Sequence, residues 1–374
     1  MGDLDSKEKT SGSKSVKGLV LPGEIPKSGK KFFLSPGFLI SFSIFIVAII
    51  AALVLNAPSE EFTSLQKCGD ETFSGYCSLN KPYFCDSTIL MENPPLCGCP
   101  EFFSFRGNYC SSGYDESLED IYLNYLIDGK SETLYFKFRS DVLDYLLGLP
   151  RFKIYSSNET PRRDDFKLAS INEPLQRQFL IPLVVEIENL YPDSKDMQAK
   201  VAVSLVQNIP YNESQFVDFF GNDIRISRYP YQVLGEHQGS CEGKSELLAF
   251  LLKEMGFGVV LFYYPEEAHE AVGIKCPVER SYLGTGYCFV ETTMPSPISY
   301  SDGFYLGIGG ISKLSENPEF VMISRGISLS NNLEDYEDAK DLKKLVNEIE
   351  SSGMLNAFGE SRFNQLREKY NLSY

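Results

Sequence analysis

Nine cysteines stand in this chain of 374 residues, and six of them crowd into residues 68–110. Those six are Cys68, Cys77, Cys85, Cys97, Cys99 and Cys110, set among Gly, Pro, Asn and Ser with no long periodic segment. So short a stretch cannot build a sufficient apolar core, and covalent cross-links take its place. In an oxidising compartment it reads as a small module held by three disulfides, whose pairing the spacing leaves open. Cys97-Gly98-Cys99 invites a zinc reading, but the repeated Cys-x2-Cys spacing and companion histidines are missing, so no metal is expected. Cys276 and Cys288 flank "PVERSYLGTGY", turn residues between two apolar runs, and form the legs of a hairpin that a disulfide could bridge if the strands pair. Cys241 is left over. An unpaired cysteine in an exported protein is either buried and inert or kept free because it reacts.

Export has its own candidate signal. The run "FLISFSIFIVAIIAALVL", Phe38 to Leu55, carries no charge over 18 residues. As a helix it would span roughly 27 Å, close to the hydrocarbon thickness of a bilayer. Lys27, Lys30 and Lys31 precede it, and Glu60 and Glu61 follow. The positive-inside bias then predicts a single-pass membrane protein with a cytoplasmic N-terminus and an extracytoplasmic remainder. The apolar stretch is longer than a cleaved signal peptide's, so an uncleaved anchor is expected. Residues 1–55 carry a net charge of +3 and the rest −19. A surface that acidic repels phosphate backbones and excludes nucleic acid as a partner. The predicted organisation is a disordered tail over 1–31, a transmembrane anchor over 32–56 and the cysteine-rich module over 57–112. The N-terminal part of the ectodomain follows over 113–192, then a core over 193–330 and a helical segment over 331–374.

Residues 111–118 read as a linker, and "ETLYFKFR" alternates Leu134, Phe136 and Phe138 as a strand would. Leu175, Phe179, Leu183, Ile187 and Leu190 fall at helical spacing, as do Met197, Val201 and Leu205 after the capping pair Asp193-Ser194. From Cys241, the positions Leu247, Leu248, Leu251, Leu252 and Met255 predict another helix, ended by Gly256 and Gly258. "VVLFYY", "AVGI" and "YCFVETT" read as strands, and Leu342, Leu345, Val346 and Ile349 as a last helix. Helices followed by strands predict an α+β fold. "GFYLGIGG" lacks the context of a nucleotide loop and reads as turns, and "LEDYEDAKD" as a solvated helix face. Asn158, Asn212 and Asn371 open glycosylation sequons.

In "GEHQGSCEGKSELLAFLL", Cys241 stands where a small-residue loop enters its helix. A helix N-terminus favours the reactive thiolate and offers backbone N–H groups to an oxyanion. The chain has only two histidines, His237 and His269. His269 heads the strand "HEAVGI", which can return past the helix start; His237 lies in the loop with no element to hold its ring. Glu291, on the strand expected to pair with that of His269, is placed to orient the imidazole.

The segments "SLVQNIPYNE", "RYPYQVLGEHQGSCEGKSELLAFLLKEMGFGVVL", "HEAVGIKCP" and "YCFVETTMP" resemble the transglutaminase-like superfamily, thiol enzymes of papain-like fold that include peptidases, amidases and transglutaminases. The resemblance covers about residues 195–311. It implies a catalytic core with its cysteine at a helix N-terminus packed on an antiparallel sheet. It also implies Cys241 as nucleophile, His269 as base, Glu291 as acid and Gln207 as a candidate oxyanion donor. The sequence departs from the family in three places. Glu291 replaces the usual Asp, "EAV" replaces the common Ala-Trp after the histidine, and the chain has no tryptophan. The missing indole argues for hydrolysis of a peptide or amide over protein cross-linking. Without an EF-hand-like loop, neither calcium nor any other cofactor is expected. The cysteine-rich stretch, separately, resembles small modules of archaeal surface proteins. The rival to an enzyme acting on a peptide or protein substrate is a pseudoenzyme whose cleft binds peptide or glycan.

Overall fold

The computed structural model describes residues 45–47, 49, 66–114, 117–150, 155–156, 158–160, 162–213, 215–219, 221–301, 304–307, 310–314 and 317–372. The chain divides into two compact units, residues 1–63 and 64–374. In the first, Phe45, Ile46, Val47 and Ile49 are helical and exposed. Among the described residues, no helix is long and apolar enough to cross a membrane. This corrects the transmembrane anchor expected over 32–56 and the single-pass localisation and sidedness built on it. An uncharged run shows what a bilayer would accept, whereas a span needs about 20 apolar residues in one continuous helix. The rest of that segment, and the tail over 1–31, lie outside the described residues.

The second unit opens with the cysteine-rich stretch. It holds the antiparallel ribbons β1 (Tyr83–Asp86) with β2 (Ile89–Glu92) and β3 (Ser104–Arg106) with β4 (Tyr109–Ser111), and a single turn α1 (Pro94–Cys97). Three disulfides staple it: Cys68–Cys85, Cys77–Cys97 and Cys99–Cys110. Next come the ten-residue strands β5 (Leu118–Ile127) and β6 (Lys130–Arg139), which pair along their whole length. Alternation buries Leu134, Phe136 and Phe138. The expected linker therefore ends where Leu118 begins to pair.

Helices α2 (Ser140–Leu147), α3 (Arg163–Ile171), α4 (Pro174–Leu190) and α5 (Lys195–Asn208) follow. Ser194 caps α5 by accepting from the Met197 amide at 3.3 Å. The hairpin β7 (Gln215–Phe219) with β8 (Asn222–Ile226) leads to α6 (Pro230–Gly235) and α7 (Cys241–Glu254). Residues 247–252 of α7 are wholly buried, so this helix is the axis of the core. It packs on a four-stranded antiparallel sheet of order β11-β10-β9-β14, made of β9 (Val259–Tyr264), β10 (His269–Lys275), β11 (Tyr287–Val290) and β14 (Glu319–Ser324). The Cys276–Cys288 disulfide ties the β10–β11 connection. The whole is α+β with small antiparallel sheets.

"GFYLGIGG" departs from its expected turns: β12 (Phe304–Gly307) and β13 (Gly310–Lys313) pair as a hairpin. The acidic run also departs from a solvated face. In α8 (Asp335–Ser352), Asp335 and Asp338 are buried. Asp338 accepts from Arg362, Lys369 and Tyr370 of α9 (Ala357–Tyr370), and Asp335 pairs with Lys200. Partners distant in sequence compensate the desolvation that the charges alone would forbid.

The cysteine-rich stretch seats on α4 and α5. Cys68, Tyr83, Cys85 and Leu90 pack with Ile181 and Val185. Gly69 permits the approach, because a Cβ there would lie 2.3 Å from the Glu188 carbonyl oxygen. The Asn189 side chain accepts from the Leu90 amide at 2.8 Å and donates to its carbonyl at 3.0 Å.

Candidate active site

Cys241 is the first residue of α7 and 4% exposed. Ser240 precedes it as N-cap, its hydroxyl accepting from the Gly243 amide at 3.4 Å. An α-helix provides no intrahelical acceptor for its first N–H groups, and the Cys241 amide is the first of these. The loop before it is held by the strand-like segment after α5. The Gly239 amide donates to the Pro210 carbonyl, and Asn212 donates back to Gly239. Gly239 has no room for a side chain: a Cβ would meet the Lys244 stem at 2.9 Å and Val233 at 3.2 Å.

Cys241 is the one free cysteine; the other eight are in disulfides. Its Sγ lies 3.8 Å from the Ala268 carbonyl oxygen, and its side chain is hydrogen-bonded to the next residue, His269. His269, 1% exposed, opens β10 at the end of the sheet where α7 begins. Its Nε2–H donates to Glu291 Oε2 at 2.9 Å, which leaves Nδ1 for the sulfur. Glu291 follows β11 directly. Its second oxygen accepts from the amides of Thr292 and Thr293 at 2.9 and 2.7 Å and from the Thr293 hydroxyl at 2.6 Å. The carboxylate is thus buried and saturated with donors.

The electrostatics follow from these contacts. Burial alone favours a neutral imidazole, but the Glu291 carboxylate and the Cys241 side chain outweigh it and raise the His269 pKa to about 10. Burial likewise opposes ionisation of Glu291, and His269 and the Thr293 donors outweigh it, so its pKa is lowered. The Tyr305 ring of β12 stacks on the imidazole, with centroids 4.1 Å apart. The Leu306 amide donates to the Thr293 hydroxyl at 2.9 Å, fixing that hairpin to the Glu291 loop.

The sequence-predicted residues therefore part company. Cys241, His269 and Glu291 meet. His237 is exposed in the loop, with left-handed backbone at φ 49°. Gln207 is close by, but its amide nitrogen donates to the carbonyls of Glu291 at 2.8 Å and Ser296 at 3.1 Å. It clamps the Glu291 loop and has no hydrogen left to offer an oxyanion.

Two features escaped sequence reasoning. Lys244, wholly buried, donates to the carbonyls of Ile209 at 2.6 Å and Gln207 at 3.3 Å, closing the C-terminus of α5. The stripe Cys241, Lys244, Leu248 at i, i+3 and i+7 was the available signal. On the far side of α7, Lys167 bonds Glu246 at 2.7 Å and Glu270 at 3.1 Å in a buried cluster. Among the described residues, no group of three or more potential ligands could hold a metal ion. No protein-family model matches the chain, and no curated protein is similar to it in sequence.

Proposed function

We propose that this protein is a thiol enzyme of transglutaminase-like type that cleaves peptide or side-chain amide bonds through a thioester on Cys241. The observation that supports it is a buried cysteine at a helix N-terminus beside an imidazole whose other nitrogen is held by a carboxylate. Burial opposes a charged imidazole, but Glu291 and Cys241 raise the His269 pKa to about 10, which makes the ring a base strong enough to take the Cys241 proton and leave the thiolate as nucleophile. The thiolate attacks the amide carbonyl carbon, forming the C–S bond and moving the carbonyl electron pair onto oxygen. We assign that oxyanion to the backbone N–H groups at the start of α7. As the C–N bond breaks, His269 gives its Nδ1 proton to the leaving nitrogen. Water then adds to the thioester, His269 takes its proton, and the acid departs as the thiolate returns. Glu291 keeps the ring oriented and its positive charge compensated throughout. Donation from a helix amide needs no indole, in keeping with the absence of tryptophan.

A second reading has its own support. Cys241 and His269 are almost wholly buried and Tyr305 covers the imidazole, as suits a pseudoenzyme that binds peptide or glycan without chemistry.

A peptide library with blocked termini separates the two. The thiol-enzyme reading expects cleavage products and a trapped acyl adduct on Cys241 by mass spectrometry. Cys241→Ala should abolish both, and Glu291→Gln should slow turnover by about 10²–10⁴-fold. Binding of library members without cleavage or adduct would establish the pseudoenzyme instead.

A further inference from the structure

A lysine with no exposed surface lies one helical turn from the candidate nucleophile, and the described structure gives it main-chain hydrogen-bond partners in place of an ion pair. Lys244 Nζ bonds the Ile209 and Gln207 carbonyls at 2.6 and 3.3 Å, and no carboxylate among the described residues stands within salt-bridge distance of it. Carbonyls only accept, so they suit a donor-rich ammonium. They also lie at the C-terminal end of α5, where the helix dipole favours a cation.

The titratable groups facing Lys244 are Glu291, from the loop after β11, and Cys241 on its own helix. From α5 and the residue after it, the main-chain oxygens of Gln207 and Ile209 meet the ammonium. Glu242 and Glu246 occupy the opposite side of α7 with Lys167, and strand alternation turns Glu270 to that same cluster, away from His269. Burial pushes the Lys244 pKa down to about 7, and the charges of Glu291 and Cys241 act against that fall. The proton on Lys244 is thus tied to two anions of the site. With Cys241 and Glu291 ionised and His269 protonated, the triad carries one net negative charge, which a buried ammonium neutralises.

We propose that Lys244 is a positioning residue of the thiol site: an ammonium fixed by the α5 carbonyls, it stabilises the Cys241 thiolate and the Glu291 carboxylate without touching substrate. This rests on the thiol-enzyme reading above. The bland rival is a lysine that merely closes α5, and the ionisation of Cys241 tells the two apart.

The test is the ultraviolet absorbance of the thiolate against pH in the full chain, with Cys241→Ala subtracted to remove tyrosine ionisation. Since the other eight cysteines are in disulfides, the difference reports Cys241 alone. Lys244→Met should move the thiolate midpoint up by about one pH unit, leaving about tenfold less thiolate at any pH below both midpoints. Lys244→Gln, which keeps an N–H donor without the charge, should give the same shift and serves if the Met variant fails to fold. A folded variant with an unchanged midpoint overturns the proposal. His269→Ala separates this from the parent reading. A midpoint that answers to His269 and not to Lys244 sinks the lysine's role and leaves the thiol enzyme standing. One that answers to Lys244 and not to His269 supports the lysine's electrostatic role while removing the enzyme.

Discussion

Gln207 shows how one side chain can look like chemistry and act as scaffolding. Its two amide hydrogens go to the Glu291 and Ser296 carbonyls, and its oxygen receives the Ser296 amide at 3.4 Å. Replacing it with Leu strands two buried carbonyls, at a cost of about 2–3 kcal/mol. The loss should appear in urea denaturation even in the Cys241→Ala background, where catalysis is gone. An oxyanion donor would behave in the opposite way, lowering kcat by about 10²–10³ with the fold intact. Legibility at this scale followed rarity. With two histidines and one unmatched cysteine in the chain, few partners were available to Cys241. Lys244 hid for the converse reason. Lysines on helices usually face water, and its burial depends on the α5 terminus and on the bare Gly239, both outside the α7 pattern.

Among the elements, α7 is held on two sides by different means. Toward α5 it uses Lys244; toward α3 and β10 it uses the cluster of Lys167 with Glu246, Glu270 and the more distant Glu242. Desolvation chiefly, and then Glu242 and Glu246 against the relief from Lys167, raise the Glu270 pKa to about 7. Lys167→Met should therefore cost about 3–5 kcal/mol, because it strands buried carboxylates without their cation. Without Lys167 the Glu270 pKa rises above about 7, so the penalty should be largest in alkaline solution and shrink as the pH falls toward about 7, where Glu270 of the variant has already taken up its proton. Denaturation of wild type and variant near pH 7 and in alkaline solution checks it. Equal losses at both would show that Glu270 stays charged without Lys167. Periodicity predicted α5, α7, β9 and β10 because each is apolar along a regular face. It missed the β12–β13 hairpin, whose glycines imitate turns, and β5, whose exposed positions 118–120 resemble a linker until β6 is there to pair with them.

Over the whole molecule, the cysteine-rich stretch and the helical core share a buried titratable joint. Glu188 of α4 is 1% exposed and lies beneath Gly69. Its Oε1 is 3.5 Å from Lys195, while Oε2 has no hydrogen-bond partner among the described residues. Burial above all, partly offset by Lys195, raises its pKa from 4.5 to about 8. A carboxyl raised on folding contributes stability that is complete below about pH 4.5 and lost as the pH climbs through about 8. Wild type should thus lose Tm across that window, and Glu188→Gln should lose less; parallel Tm curves would exclude Glu188 as the source. Disulfide pairing was illegible because it depends on tertiary folding that the cysteine spacing does not encode, as where Cys68 and Cys85 come together against Ile181 and Val185 of α4. Asn189 in that joint has a consequence beyond holding it. Its side-chain amide offers Leu90 the same donor and acceptor that a neighbouring peptide would. It takes the place of a missing strand at the outer edge of β2, so a second molecule finds no open backbone at Leu90 on which to extend the ribbon.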